Sequence, residues 1–362
     1  MLTDYESQIK KLPHGEPRLQ MHRAAVKEAD EDGNFIYRLY RRYEYIRESE
    51  FHGDFMEALT EFPKMMQIFD EEEAKGGTDR EDAYTLLWAF KWILGGCQYY
   101  YQVTTEQFEA FLAEYKKRMI RYGYSLRTYY GEKMKYYSFI NPKVEEENYH
   151  LFIKQRRDSM SDCEACDRDS VVQYYLGRGE VDKAREKAQP LFDRKLYCGE
   201  VPEITYKAFT LYNCKQLALG NEIDMVEADR FCTLIANPIR YSCVAIEGFG
   251  VPMIYYAMTN TSKALSWYKR FWPTFESMRN PTYKFYFAIG AVLFFQKRSK
   301  ETYKMQLASN FPFYNEENVY NVKQLMQYYY DFAKDYATKL DARNGSSVFM
   351  DELNLFCGEV LA

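Results

Sequence analysis

Gly53-Asp54-Phe55-Met56-Glu57-Ala58-Leu59-Thr60-Glu61-Phe62-Pro63-Lys64-Met65-Met66-Gln67-Ile68-Phe69 is the segment that decides the fold class. Phe55, Leu59, Phe62, Met66 and Phe69 step by four, three, four and three, which lays one apolar stripe along an amphipathic helix. The same period recurs at Phe35, Ile36, Leu39, Tyr40, Tyr43 and Ile46, and at Phe108, Phe111, Leu112, Tyr115, Met119 and Tyr122. Thr104 with Gln107 three residues later reads as a capping box that opens the third of these helices. Phe285 to Phe295 is apolar throughout but too short to cross a bilayer, which needs about 20 residues, so it reads as one buried helix. No run of alternating apolar and polar residues stands between turn signals, so no sheet is expected. The expectation is an all-α chain.

Turn signals divide these helices at short intervals. They fall at Asp32-Gly33, His52-Gly53, Gly76-Gly77, Gly123, Asn141-Pro142, Gly177 to Gly179, Gly199 to Pro202 and Gly220. Further along come Asn237-Pro238, Gly248 to Pro252, Asn280-Pro281, Asn310 to Pro312 and Asn344-Gly345, the last reading as a left-handed helix cap. Asp70 to Asp79 reads as a solvated loop. Gly53 and Ala58, and again Gly179 and Ala184, are five residues apart, and Thr259 to Ala264 keeps that spacing without the glycine. A glycine that ends one helix, followed by an alanine that lets the next approach closely, suits a repeated hairpin. With Tyr175 placed to fill the groove before Gly179, the pattern predicts an α-α superhelix, a solenoid of antiparallel helical hairpins like a degenerate tetratricopeptide (TPR) array. It is read as one solenoid over 1–362, with N-terminal hairpins in 1–160 and C-terminal hairpins in 161–362 that are not independent domains.

Composition narrows the function. The 362 residues carry 48 Lys and Arg against 53 Asp and Glu, a formal net charge of −5 with no basic stripe. That argues against a dedicated nucleic-acid binder. The opening Met1-Leu2-Thr3-Asp4-Tyr5-Glu6 does not read as a secretory leader, no membrane span is read, and eight mostly isolated cysteines are too sparse for a disulfide scaffold, so a reducing cytoplasm is expected. The surplus is aromatic: 35 Tyr, 25 Phe and 4 Trp.

Several segments resemble those of bacterial TPR-like proteins with divergent repeats. They are Asp162-Cys163-Glu164-Ala165-Cys166 with the hairpin that follows, Cys198-Gly199-Glu200-Val201-Pro202, and Asp341-Ala342-Arg343-Asn344-Gly345. Ala29-Asp30 with Gly33, and Phe62 to Asp70, are similar too. The resemblance covers most of the chain and implies a fold without a reaction. Where that family often has a His after the proline of the second segment, this chain has Glu203.

Cys163 and Cys166, spaced as CxxC, with Cys198 about a hairpin further on, form the sharpest constellation of chemistry. Two such thiolates reach one zinc ion, a hairpin returns the third, and Glu203, Cys214 or water would complete the set. Such a zinc would staple hairpins rather than catalyse. The plainer reading is that small, buried cysteines fill tight helix crossings. No other cofactor is read. The four histidines, His14, His22, His52 and His150, show no pair at metal-binding helical spacing, and His52 at its turn is expected to be solvated. No P-loop, kinase set or nucleophile motif is present, so enzyme activity is disfavoured.

The tyrosine clusters carry two readings. Most would replace Phe or Leu at half-buried helix contacts; a minority, chiefly Tyr99, Tyr100, Tyr101, Tyr255 and Tyr256, would line a binding groove. Lys116-Lys117-Arg118 with Arg121, and Lys154 with Arg156-Arg157, are expected to be solvated faces. The expected function is therefore a non-catalytic scaffold that binds a protein or peptide, such as a toxin it neutralises or a signalling protein it holds. The alternative is a TPR-type receptor switched by a short peptide; a cryptic enzyme on a helical toroid ranks below both.

Overall fold

The computed structural model describes residues 4–241 and 248–358. Among them the chain is all-α: seventeen helices and a single two-stranded ribbon. It divides into two compact units, Met1–Asp162 and Cys163–Ala362.

In the first unit the helices are α1 (Tyr5–Lys10), α2 (Glu16–Asp32), α3 (Phe35–His52), α4 (Phe55–Glu73), α5 (Arg80–Cys97), α6 (Thr105–Arg121), α7 (Arg127–Tyr137) and α8 (Pro142–Lys154). Neighbours in sequence fold back on one another: α2 packs on α3, α3 on α4 and α7 on α8. The local chemistry that starts and stops them is explicit. Asn34, Asp54 and Asn141 cap their helices through side-chain oxygens. Thr104 and Gln107 exchange both bonds of a capping box. Gly33 takes a left-handed conformation where α2 ends. The core gathers Phe55, Phe62, Phe69, Phe90, Phe108, Tyr115 and Met119, and Phe108 stacks on Tyr136 with ring centroids 3.6 Å apart.

Two expectations are corrected here. The loop read over Asp70 to Asp79 begins later, because α4 runs on to Glu73. The basic run of α6 is the reason: the buried Arg118 grips both oxygens of Asp70 at 2.7 and 2.8 Å, and Arg121 pairs with Glu73 at 2.9 Å. That part of the basic patch is a clamp rather than a solvated face.

In the second unit the helices are α9 (Glu164–Gly177), α10 (Val181–Phe192), α11 (Glu203–Ala218), α12 (Met225–Tyr241), α13 (Gly250–Thr259), α14 (Thr261–Ser277), α15 (Pro281–Gln296), α16 (Val322–Asn344) and α17 (Val348–Cys357). α9 with α10 and α11 with α12 are hairpins, and α15 lies against α13, α16 and α17. α15 is the apolar run read from sequence; Phe285, Phe287, Ile289, Phe294 and Phe295 on it are all buried. Part of the surplus tyrosine is core here, with Tyr255, Tyr268, Tyr320, Tyr329 and Tyr336 buried. Its hydroxyls stay satisfied by pairing inside: Tyr268 with Tyr329 at 3.0 Å and Tyr336 with Thr282 at 2.5 Å. The ribbon, β1 (Thr302–Lys304) with β2 (Val319–Asn321), is antiparallel with Tyr303 opposite Tyr320, and the sequence reading missed it because each strand is only three residues long. Asn237-Pro238, read as a turn, instead lies inside α12. Asn344-Gly345 is a left-handed cap as expected, with Gly345 at φ 63°.

Candidate functional site

Three of the five tyrosines expected to line a groove, Tyr100, Tyr255 and Tyr256, are buried. Tyr100 is buried against Phe55, with rings 4.7 Å apart; Tyr99 packs half-buried on the same core and Tyr101 is half-buried. Tyr255 is fully buried and donates its hydroxyl to Asp229 at 2.8 Å, while Tyr256 is buried edge-on against Trp267. Residues adjacent on a helix point in different directions, yet both sides of α13 meet other helices, so neither tyrosine is left for a partner.

The three cysteines do converge. Cys163 stands at the N-cap of α9 and Cys166 one turn in; Cys198 returns on the loop between α10 and α11. The sulfurs of Cys163 and Cys166 are 3.4 Å apart, those of Cys166 and Cys198 3.5 Å, and all three lie within 4.8 Å of one another. Each outer sulfur also receives a backbone N–H: Cys163 from Cys166 at 3.4 Å, and Cys198 from Glu200 at 3.4 Å. Local geometry explains the second. After α10 the chain curls back, Lys195 and Leu196 both donating to the Pro190 carbonyl, with Arg194 at φ 54°. Cys198 N–H then bonds the Val201 carbonyl at 2.9 Å, closing a tight loop over Gly199-Glu200.

This donor set fits a thiophilic ion. Around a tetrahedral zinc with Zn–S near 2.3 Å, sulfurs sit about 3.8 Å apart, so the two pairs at 3.4 and 3.5 Å need to open by only a few tenths of an ångström. Backbone N–H groups aimed at sulfur are the outer-shell support that thiolate ligands use. Without an ion, burial first and then the neighbouring Cys163 and Cys198 sulfurs push the Cys166 thiol far above its ordinary value, since three thiolates cannot share a site uncompensated. A bound cation reverses that penalty. Zinc here would be held by Cys163, Cys166 and Cys198 and would supply a cross-link, with the exposed side of Cys163 as its way in.

The other expected ligands are elsewhere. Glu203 opens α11 and lies 3.4 Å from Arg194. Cys214 is fully buried in α11, with Cys232 and Lys215 acting on it electrostatically. Sequence reasoning found the three sulfurs and missed Tyr197, which is 69% exposed immediately before Cys198. A lone aromatic among clusters of two and three gave no pattern to notice.

No helix of the described residues is long and apolar enough to cross a membrane. No protein-family model, curated protein or solved structure matches the chain.

Proposed function

We propose that the chain is a non-catalytic helical-repeat protein, TPR-like in kind, that binds a protein or peptide partner in a reducing cytoplasm. Its recognition element is the loop between α10 and α11. The observation that carries this reading is the position of Tyr197. Its ring is held out into solvent at the residue before Cys198, whose sulfur is 3.5 Å from Cys166 on α9. A large aromatic on a tethered loop offers contact area with little left to lose in entropy on binding, which is the character of an interface anchor. Zinc on the three sulfurs would fix that loop to α9 and so fix the anchor. The expected partner carries a concave apolar pocket that accepts one tyrosine ring.

The test is capture of host proteins on the immobilised chain, with a high-salt wash and quantification by mass spectrometry. Wild type should retain one protein in near-equal amount, and Tyr197→Ala should lose it by tenfold or more. Equal retention by both would remove Tyr197 and this reading with it.

A further inference from the structure

The second convergence of ligand atoms lies in the first unit and involves residues that nothing so far uses. His14 sits in the turn between α1 and α2; Glu48 and His52 lie on the last turns of α3, four residues apart and therefore on one helix face. Their ligand atoms all fall within 4.8 Å of one another. His14 Nδ1 is 3.1 and 3.0 Å from the two oxygens of Glu48, and the His14 and His52 rings lie 3.8 Å apart between centroids. His52 is thus half-buried against a second imidazole and not the solvated turn residue its sequence suggested.

We propose that His14, Glu48 and His52 bind a divalent transition-metal ion of the zinc, cobalt and nickel class. Two imidazoles and one carboxylate are the donor set of such ions, and helical i, i+4 spacing delivers two of the three. The carboxylate is already oriented: Glu48 is buried and accepts the Gly15 N–H at 2.9 Å, an outer-shell bond of the kind that fixes metal ligands. Gly15 supplies the geometry. Its φ of 94° turns the chain so that His14 faces α3, a backbone conformation that side chains with a Cβ rarely adopt. The ion takes the place of the contact between His14 Nδ1 and Glu48, and the ring hydrogen of neutral His14 then sits on Nε2.

The surroundings select the class of ion. Arg18 and Arg47 act electrostatically on His52, which disfavours an ion held by charge alone, such as calcium. Both guanidinium groups are engaged, Arg18 with the Leu12 carbonyl at 2.8 Å and Arg47 with Glu44 at 2.6 Å, so neither competes for Glu48. Imidazole nitrogen, which binds zinc-class ions and not calcium, decides the selectivity. His14 is 31% exposed and gives the ion its route from solvent. The bound ion ties the turn before α2 to the end of α3.

The chain has four histidines, so each imidazole can be followed by two-dimensional nitrogen–proton NMR on the full chain. Zinc added to reduced protein should move the ring signals of His14 and His52 to the pattern of metal-bound imidazole and leave His22 and His150 in place. Unmoved His14 and His52 signals while zinc fills the three-thiol cluster would overturn the proposal. Glu48→Gln keeps an acceptor for Gly15 N–H but loses the charge, and it should weaken zinc at this site at least about tenfold, the cost of losing even an outer-shell partner. Cobalt separates the two sites in one sample, because only the thiol cluster gives intense sulfur-to-metal charge transfer. A cobalt-loaded chain whose His14 and His52 signals are not paramagnetically shifted would equally refute the site.

Discussion

Gly290 of α15 lies so close to Ile254 of α13 that a Cβ built on it would stand 2.7 Å from the Ile254 backbone nitrogen. The contact is reciprocal, for a Cβ on Gly250 of α13 would meet the Phe287 nitrogen of α15 at 2.6 Å. Two backbones touch at these points with no side chain between them. Gly290→Ala must separate the helices and so disturb the buried rings of Phe249 and Phe287, 5.0 Å apart across the same contact. A loss of about 1–3 kcal/mol is expected from such overpacking. Gly177→Ala, where no atom lies within 4 Å, should be neutral or slightly stabilising. Denaturant unfolding of the two variants checks the contrast; equal effects would show that the crossing is looser than described.

Metal at the three sulfurs is expected to contribute stability by mass action. At a free concentration a hundredfold above its dissociation constant, zinc adds about 3 kcal/mol to the unit that binds it. Chelator should therefore lower the unfolding temperature of reduced protein, and Cys198→Ser should abolish both that effect and the cobalt charge-transfer band. A wild-type chain that gives no such band with cobalt has no thiolate centre.

His22 predicts a pH dependence with a definite sign. It is buried, its Nδ1 has no hydrogen-bond partner, and burial, against the pull of Glu48 and with Arg47, Arg41 and Arg18 nearby, holds it down to about 4. The unfolded chain then binds the extra proton first, near pH 6.5. The contribution of His22 to stability is complete above that value, falls as pH drops towards 4, and is constant below. The integrated loss is about 3 kcal/mol. Unfolding midpoints between pH 4 and 7 should fall less steeply in His22→Phe than in wild type; parallel curves would refute the assignment.

Asp341 is predicted to cap a helix that is not its own. From α16 it accepts the N–H groups of Phe349 at 3.1 Å and Met350 at 2.8 Å, where the true N-cap of α17, Ser347, makes no capping bond. Asp341→Ala should cost about 1–2 kcal/mol, the worth of a lost cap. Amide exchange should rise first in α17. Exchange unchanged there would mean that apolar packing alone holds it.

The stripe at Phe55 to Phe69 shows how far local pattern reaches. Period alone made it a helix, but the buried line runs Phe55, Ala58, Phe62, Met65 and Phe69, while Leu59 and Met66 stay half-buried at its edge. Helices, caps and turns were legible because they depend on neighbours a few residues away: Thr104 with Gln107, Asn344 with Gly345. The three-residue strands were not, because they are short and their pairing joins residues such as Tyr303 and Tyr320, far apart in sequence. The cysteine cluster was legible as spacing, since a CxxC at a helix start brings two sulfurs together by itself. The histidine cluster was not: its helical partner is a glutamate, and His14 arrives from another segment through a turn that only a glycine permits.

The amino-acid order by itself determined that the chain is helical, where most helices begin and end, and that Cys163 and Cys166 share one helix start, because these follow from propensity, capping and short-range geometry. Tertiary structure alone decided which tyrosines are core and that Tyr197 stands far out in solvent. It also decided that α13 and α15 touch at bare glycines and that His14 faces Glu48 and His52. Burial and convergence are properties of the packed surface opposite a residue, and that surface is contributed by segments far away in the chain.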